Sequence, residues 1–322
     1  MNCRERVVAV IEKRSPDRVP LYMWAFANLE DQITQEFGSV AAFEDKYEFD
    51  YAHIFGGPGT YREEQLIEAR NAVGGDITPE MLMDIPMSDP NDMSQYTKII
   101  QEVKHHKERG RFIHSQNSGI FEPMNWPYEM QNHLVYMMLN QDEVQELYRR
   151  QTDWNMAVIN NFLDLGMDMI HISDDWGAQA GLLFSPKLWW EMIYPCHVRM
   201  AELVKSRGAY LSLHSDGNVM EVADGIVKIG FDVVHPWQEA AGMSYDTFLK
   251  KYKNSFTIMG GLDIQTAVGF GKIDFLKSEI DRILALFPDK RILLNTTHFI
   301  QDHCTMEELR WMSDYVYEKI RE

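Results

Sequence analysis

Eight stretches of the chain carry the β-branched, apolar and alternating residues of short strands, and segments of helical spacing separate nearly all of them. They run Val19 to Phe26, Asp50 to Phe55, Arg111 to Asn117, Asp168 to Asp175, Tyr210 to Asp216, Asp232 to Glu239, Ser255 to Asp263 and Arg291 to His298. Strand and helix in alternation, eight times over, is the pattern of a (β/α)8 TIM barrel. The reading is one α/β domain over residues 1–322, with an N-terminal helix over Glu5 to Lys13 and an irregular insertion after the second strand. That insertion covers residues 60–110 and includes Pro79, Pro86 and Pro90. A doubly wound sheet would place a glycine-rich phosphate turn after its first strand, where this chain has Ala27-Asn28-Leu29-Glu30.

Composition narrows the function. The chain has 322 residues and a net charge of -18, which argues against a phosphate backbone as partner, because nucleic-acid binding draws on clustered Lys and Arg. No run approaches the ~20 apolar residues that span a bilayer, and the N-terminus opens into a charged amphipathic segment, so a cytoplasmic protein is expected. Cys3, Cys196 and Cys304 are too few and too scattered for a disulfide framework or a zinc ribbon.

Strand phase then points to chemistry. Outer faces of barrel strands bury against helices, so the apolar phase should face out and the polar phase in. By this rule His114 and Gln116, His171 and Asp175, His214 and Asp216, and His235 with Trp237 and Glu239 face inward. Barrel active sites sit at the C-terminal ends of the strands, and those ends hold Asp174, Asp175, His214, Asp216, Glu239, Asp263 and His298. Two histidines and a carboxylate, His214, Asp216 and His298, make a ligand set for a divalent metal with open positions. The plainer reading is a hydrogen-bonded core histidine at His214, an N-cap at Asp216, and a self-satisfied polar lumen.

Five motifs, in order, resemble the uroporphyrinogen decarboxylase superfamily over nearly the whole chain. They are Pro16-Asp17-Arg18-Val19-Pro20, Asp174-Asp175-Trp176-Gly177 followed by Ser185-Pro186, His214-Ser215-Asp216-Gly217-Asn218, Gly260-Gly261-Leu262-Asp263 and Asn295-Thr296-Thr297-His298. The resemblance implies a single (β/α)8 barrel. It is closer to the branch of zinc methyltransferases that exchange methyl groups with a corrinoid (cobalamin) protein than to the tetrapyrrole decarboxylases. The latter bind a polyacidic substrate through arginines just beyond the first strand, whereas Leu21 to Glu30 here contain none. The methyltransferase branch reads His-x-Cys-Gly-Asn on strand five, with a further Cys ending strand eight; this chain has Asp216 at the first Cys position and His298 at or beside the second.

Replacing thiolates by His and Asp leaves a bound zinc harder and better suited to polarising an ether oxygen. The resemblance therefore implies transfer of a methyl group from a small methoxylated or methylated compound to a corrinoid protein. Asp174, Asp175 and Glu239 are its acid, base or relay candidates, and Trp24, Phe26, Trp176, His235, Trp237 and Asp263 the substrate wall. Two other readings stand beside it: a decarboxylase-like lyase on a smaller substrate, and a non-catalytic small-molecule binding protein.

Overall fold

The computed structural model describes residues 1–322. Nine strands form: β1 (Tyr51–Ile54), β2 (Phe112–Ser118), β3 (Met169–Ser173), β4 (Gly177–Ala178), β5 (Gly181–Leu182), β6 (Tyr210–His214), β7 (Val233–His235), β8 (Thr257–Leu262) and β9 (Leu293–Thr296). Seven of them make one sheet in the order β1-β2-β3-β6-β7-β8-β9, while β4 and β5 pair antiparallel on their own. The pairs β2–β3, β3–β6, β7–β8 and β8–β9 are parallel. Helices fill the connections, as an α/β chain of TIM-barrel type requires, but the sheet does not close on eight strands.

The missing strand is the first one expected. Of Val19 to Phe26, only Leu21 enters a ladder, as an isolated parallel bridge to Leu294. Leu294 N donates to Pro20 O at 3.0 Å, Tyr22 N to Leu294 O at 3.0 Å, and Asp50 N to Leu21 O at 2.9 Å. Extension stops on both sides: Pro20 has no N–H to give, while Trp24 N bonds the Thr296 hydroxyl and Ala25 N turns back to Met23 O. Helix Phe26–Phe37 then begins at once. The sixth expected strand is likewise short, because Pro236 follows β7 directly.

The chain divides into two compact units, Met1–His53 with His106–Ile113 and Asp232–Glu322, and Ile54–His105 with His114–Phe231. In the first unit, Asn2 and Glu5 form a capping box on helix Cys3–Ile11. That helix presents Arg6 to Asp50, which is fully buried and also receives Arg18 Nη1 at 2.6 Å and Leu21 N at 2.9 Å. Asp17 takes Arg6 Nε at 2.6 Å. The Pro16–Pro20 motif is thus a structural clamp that pins the start of the barrel-type chain path.

The second unit carries helix Gln141–Leu165, ended by left-handed Gly166 as its position in the sequence suggests, and helix Tyr194–Ser206. Residues 60–110 hold the helices Glu63–Val73, Pro79–Asp84 and Thr97–Glu108. Along β3 and β6 both faces are buried: Ile170, Ile172, Leu211 and Leu213 on one side, His171, Ser212 and His214 on the other. Each aliphatic side chain contributes about 1.5–3 kcal/mol by leaving water, which anchors the polar face opposite.

Candidate functional site

Two of the sequence motifs lie side by side in the second unit and are stitched together by backbone. Asp174 N donates to His214 O at 2.9 Å, Trp176 N to Ser215 Oγ at 3.1 Å, Asp216 N to Asp175 Oδ1 at 2.7 Å and Asn218 N to Ala178 O at 2.8 Å. The two motif glycines make this approach possible. A Cβ on Gly217 would lie 2.6 Å from the Gly177 backbone, and one on Gly177 would lie 2.7 Å from Asn218 N. Gly217 also sits at φ +75°, where a side chain strains the backbone.

The stitch fixes what faces the lumen. His114, His171 and His214, from three neighbouring strands, lie in a row, His114 edge to face with His171 at 5.2 Å and His171 tilted against His214 at 5.9 Å, so the inward phase expected for them is the one found. His171 Nδ1 is hydrogen-bonded to Ser212 Oγ at 2.7 Å. Beyond this buried pair, His214 Nε2 stands 3.8 Å from Asp175 Oδ1 and 4.0 Å from Asp216 Oδ1. Both carboxylates are about one-third exposed, at 34% and 35%.

Asp174 behaves differently from its neighbour. It is fully buried and accepts from Ile120 N at 3.0 Å, Phe121 N at 2.8 Å and Glu122 N at 2.8 Å, with His197 Nε2 at 2.8 Å from Oδ2. Gly119 is required beside it, since a Cβ there would overlap the Asp174 side chain. This carboxylate, with all its partners made inside the protein, holds the turn that follows β2 in place.

That turn delivers Glu122, a residue the sequence reading did not single out. Its Oε2 accepts from Ser173 Oγ at 2.9 Å. Burial and the Asp175 carboxylate push the Glu122 carboxyl up to about 7, with Asp174 adding to the rise and the Ser173 bond and His214 opposing it. The only available signal was its place just past the C-terminal end of β2. A lone Glu before a proline there looks like an ordinary helix-start residue.

The remaining candidates belong to the first unit. Trp24 packs against His53, His298 and Phe299 at 5.2, 5.2 and 5.4 Å, and Phe26 begins the following helix. His235 is buried with Nε2 3.1 Å from Thr296 O. Trp237 is only 1% exposed, among Phe248, Tyr252 and Phe256, and its Nε1 donates to Ser244 O. The inward phase expected for Trp237 is therefore lost: the strand stops at His235, and Trp237 itself is left-handed at φ 55°. Glu239 is ion-paired to Arg282 at 2.7 Å, and with Asp263 it lines a small cavity of about 80 Å3. Burial raises the Asp263 carboxyl, against the Gln265 and Thr266 amides that lower it. In the second unit, Trp176 is fully buried between Trp189 and His197.

The donor set suits a metal. An imidazole nitrogen with two carboxylate oxygens at 3.8 and 4.0 Å is too far for hydrogen bonds but close to the spacing of ligands that each lie ~2 Å from a shared ion. No guanidinium or ammonium partners Asp175 in this cluster.

Comparison with known proteins agrees with the motifs. The uroporphyrinogen decarboxylase (URO-D) family matches residues 73–319. The chain belongs to that family. Among solved structures, a methyltransferase from Methanosarcina mazei superposes with a TM-score of 0.75 over 99% of both chains at 15% identity, so the two share a fold. A B12-independent methionine synthase from Shewanella sp. W3-18-1 covers 73% of this chain and 69% of its own at 10% identity, with a TM-score of 0.49. No curated protein matches the chain in sequence. No helix is long and apolar enough to cross a membrane.

Proposed function

We propose that this chain is a metal-dependent methyltransferase that moves a methyl group from a small methoxylated or methylated compound to a corrinoid protein. The observation that carries the proposal is the His214 imidazole held beside two carboxylates by the paired motifs. The fold it shares with a methyltransferase from end to end supports it.

In this reading His214, Asp216 and His298 hold one divalent ion, Zn2+, as a His/carboxylate group able to offer ligand atoms to it. The ion would polarise the heteroatom that gives up the methyl group. The chain's own residues do the rest. Asp175, pinned by Asp216 N, orients that loop and serves as a further ligand or base. Asp174 positions rather than reacts, because its oxygens are already occupied. Trp24 and Phe26 supply an aromatic wall for the donor, with His235, Glu239 and Asp263 as lesser contacts, while the fully buried Trp176 and Trp237 act only through packing. The chain works as one domain over residues 1–322, in the cytoplasm, where its three free cysteines stay reduced.

One observation favours a second reading. A carboxyl raised to about 7, as Glu122 is, holds a proton that a decarboxylase-like lyase could hand to the carbanion left by carbon dioxide.

The test is metal analysis of protein purified without chelator, followed by methylation of cob(I)alamin from a methoxylated aromatic, read in the visible spectrum. One equivalent of zinc and transfer are expected, and His214→Ala should lose both while its circular dichroism is unchanged. Full activity in His214→Ala, or after chelation, would sink the metal mechanism. Release of carbon dioxide from a carboxylated analogue, without transfer, would favour the second reading.

A further inference from the structure

Most buried carboxylates in this protein are saturated from within. Asp174 has four donors, and Glu308, 2% exposed, takes Gly269 N at 2.7 Å and Gly271 N at 2.8 Å on its two oxygens. Glu122 breaks the pattern. It is half-buried, its backbone N is fixed by Asp174 and its Oε2 by Ser173, yet Oε1 accepts from no protein group. No Lys or Arg occurs anywhere from Gly119 to Tyr148, so that stretch offers no cation to neutralise it. The free oxygen is not sealed among the buried atoms, so solvent reaches it and a ligand donor can take the place of water there.

We propose that Glu122 is a substrate-contacting residue whose free oxygen receives a hydroxyl or an ammonium N–H of the small-molecule ligand, and so selects compounds carrying such a donor beside the reacting group. Asp174 and His197 are the positioning residues behind it. Asp174 spans three successive amides of the turn, and His197 braces the far oxygen from a helix. His197 is itself fully buried edge-on to Trp176, so the brace has little freedom to shift. Ser173, next to Asp174 on β3, sets the carboxyl's rotation. The free oxygen is therefore fixed in place before any ligand arrives, which is what discrimination by one hydrogen bond requires.

That the ligand is a methyl donor rests on the methyltransferase reading; the contact does not. The measurement is therefore binding, by titration calorimetry on the metal-loaded protein, with three probes: 2-methoxyphenol, 2-methoxybenzylammonium and 1,2-dimethoxybenzene. The wild type should bind at least one of the first two about tenfold more tightly than the third, the worth of one hydrogen bond. Glu122→Ala should erase that preference, and Glu122→Gln, which keeps the Ser173 bond, should retain part of it. Zinc content and circular dichroism confirm that each variant is intact. No preference in the wild type, or a preference that survives Glu122→Ala, would overturn the proposal. A preference without methyl transfer to cob(I)alamin would leave the contact standing and remove the methyltransferase reading, and transfer without a preference would do the reverse.

Discussion

Around Asp50 in the first unit each carboxylate meets a guanidinium, with Arg6 and Arg18 on Asp50 and Arg6 again on Asp17. Around His214 in the second unit, Asp175, Asp216 and Glu122 meet an imidazole, a hydroxyl, a backbone amide and one another. Both regions came from motifs of the same superfamily and both are rich in acids. The difference teaches that a motif marks a constraint, and charge pairing tells which kind. A closed set of opposite charges braces the fold, whereas acids left facing each other await a cation or a proton.

Four changes would break or sharpen that contrast. The largest effect is expected from Asp50→Asn, which leaves two buried guanidinium groups without their carboxylate. A loss of about 3–5 kcal/mol, read from urea unfolding, is the usual cost of removing one partner of a buried pair. The proposed metal site should be untouched in whatever protein remains folded. A loss under about 1 kcal/mol would mean that the clamp does not brace the fold.

Gly217→Ala comes next. It puts a Cβ against the Gly177 backbone at a left-handed position, so about 2 kcal/mol or more should be lost. Because the stitched loops carry Asp175 and Asp216, zinc affinity should fall with stability. Unchanged affinity would separate the stitch from the metal.

Asp216→Cys is subtler. A thiolate should keep zinc but make it a weaker Lewis acid, so ether demethylation should drop about tenfold while metal content stays near one equivalent. Equal losses of both would show that Asp216 matters only as a ligand.

The smallest effect is on pH dependence, and its sign differs between the regions. Arg6 holds Asp17 well below the usual carboxylate range, so the unfolded chain binds more protons in acid and stability falls as the pH drops below about 4. Glu122 is raised from 4.5 to about 7, so the folded metal-free protein binds more protons between those values and stability falls as the pH climbs through them. Unfolding of the metal-free protein across pH 4–8 measures this, and Glu122→Gln should flatten the upper slope alone. A slope unchanged by Glu122→Gln would place the raised carboxyl elsewhere.

Alternation and spacing in the sequence were enough for the α/β alternation, the order of its strands, the inward row of His114, His171 and His214, and the family. These are period-two patterns and turn signals that local backbone geometry obeys wherever a strand is buried on both faces. What they could not reach was decided by contacts between segments far apart in the chain. Val19 to Phe26 looks like a strand, yet it is cut to one bridge by a proline and by a hydroxyl 272 residues away. Trp237 leaves the lumen because the strand ends two residues before it. Asp174 and Asp175 are adjacent and identical in type, yet one is sealed by three amides and an imidazole while the other stays partly open to solvent. Glu122 is held beside Ser173 because Asp174, 52 positions later, captures its backbone. A carboxylate's protonation and partners depend on what desolvates it and which donors reach it, and neither is written in its neighbours along the chain.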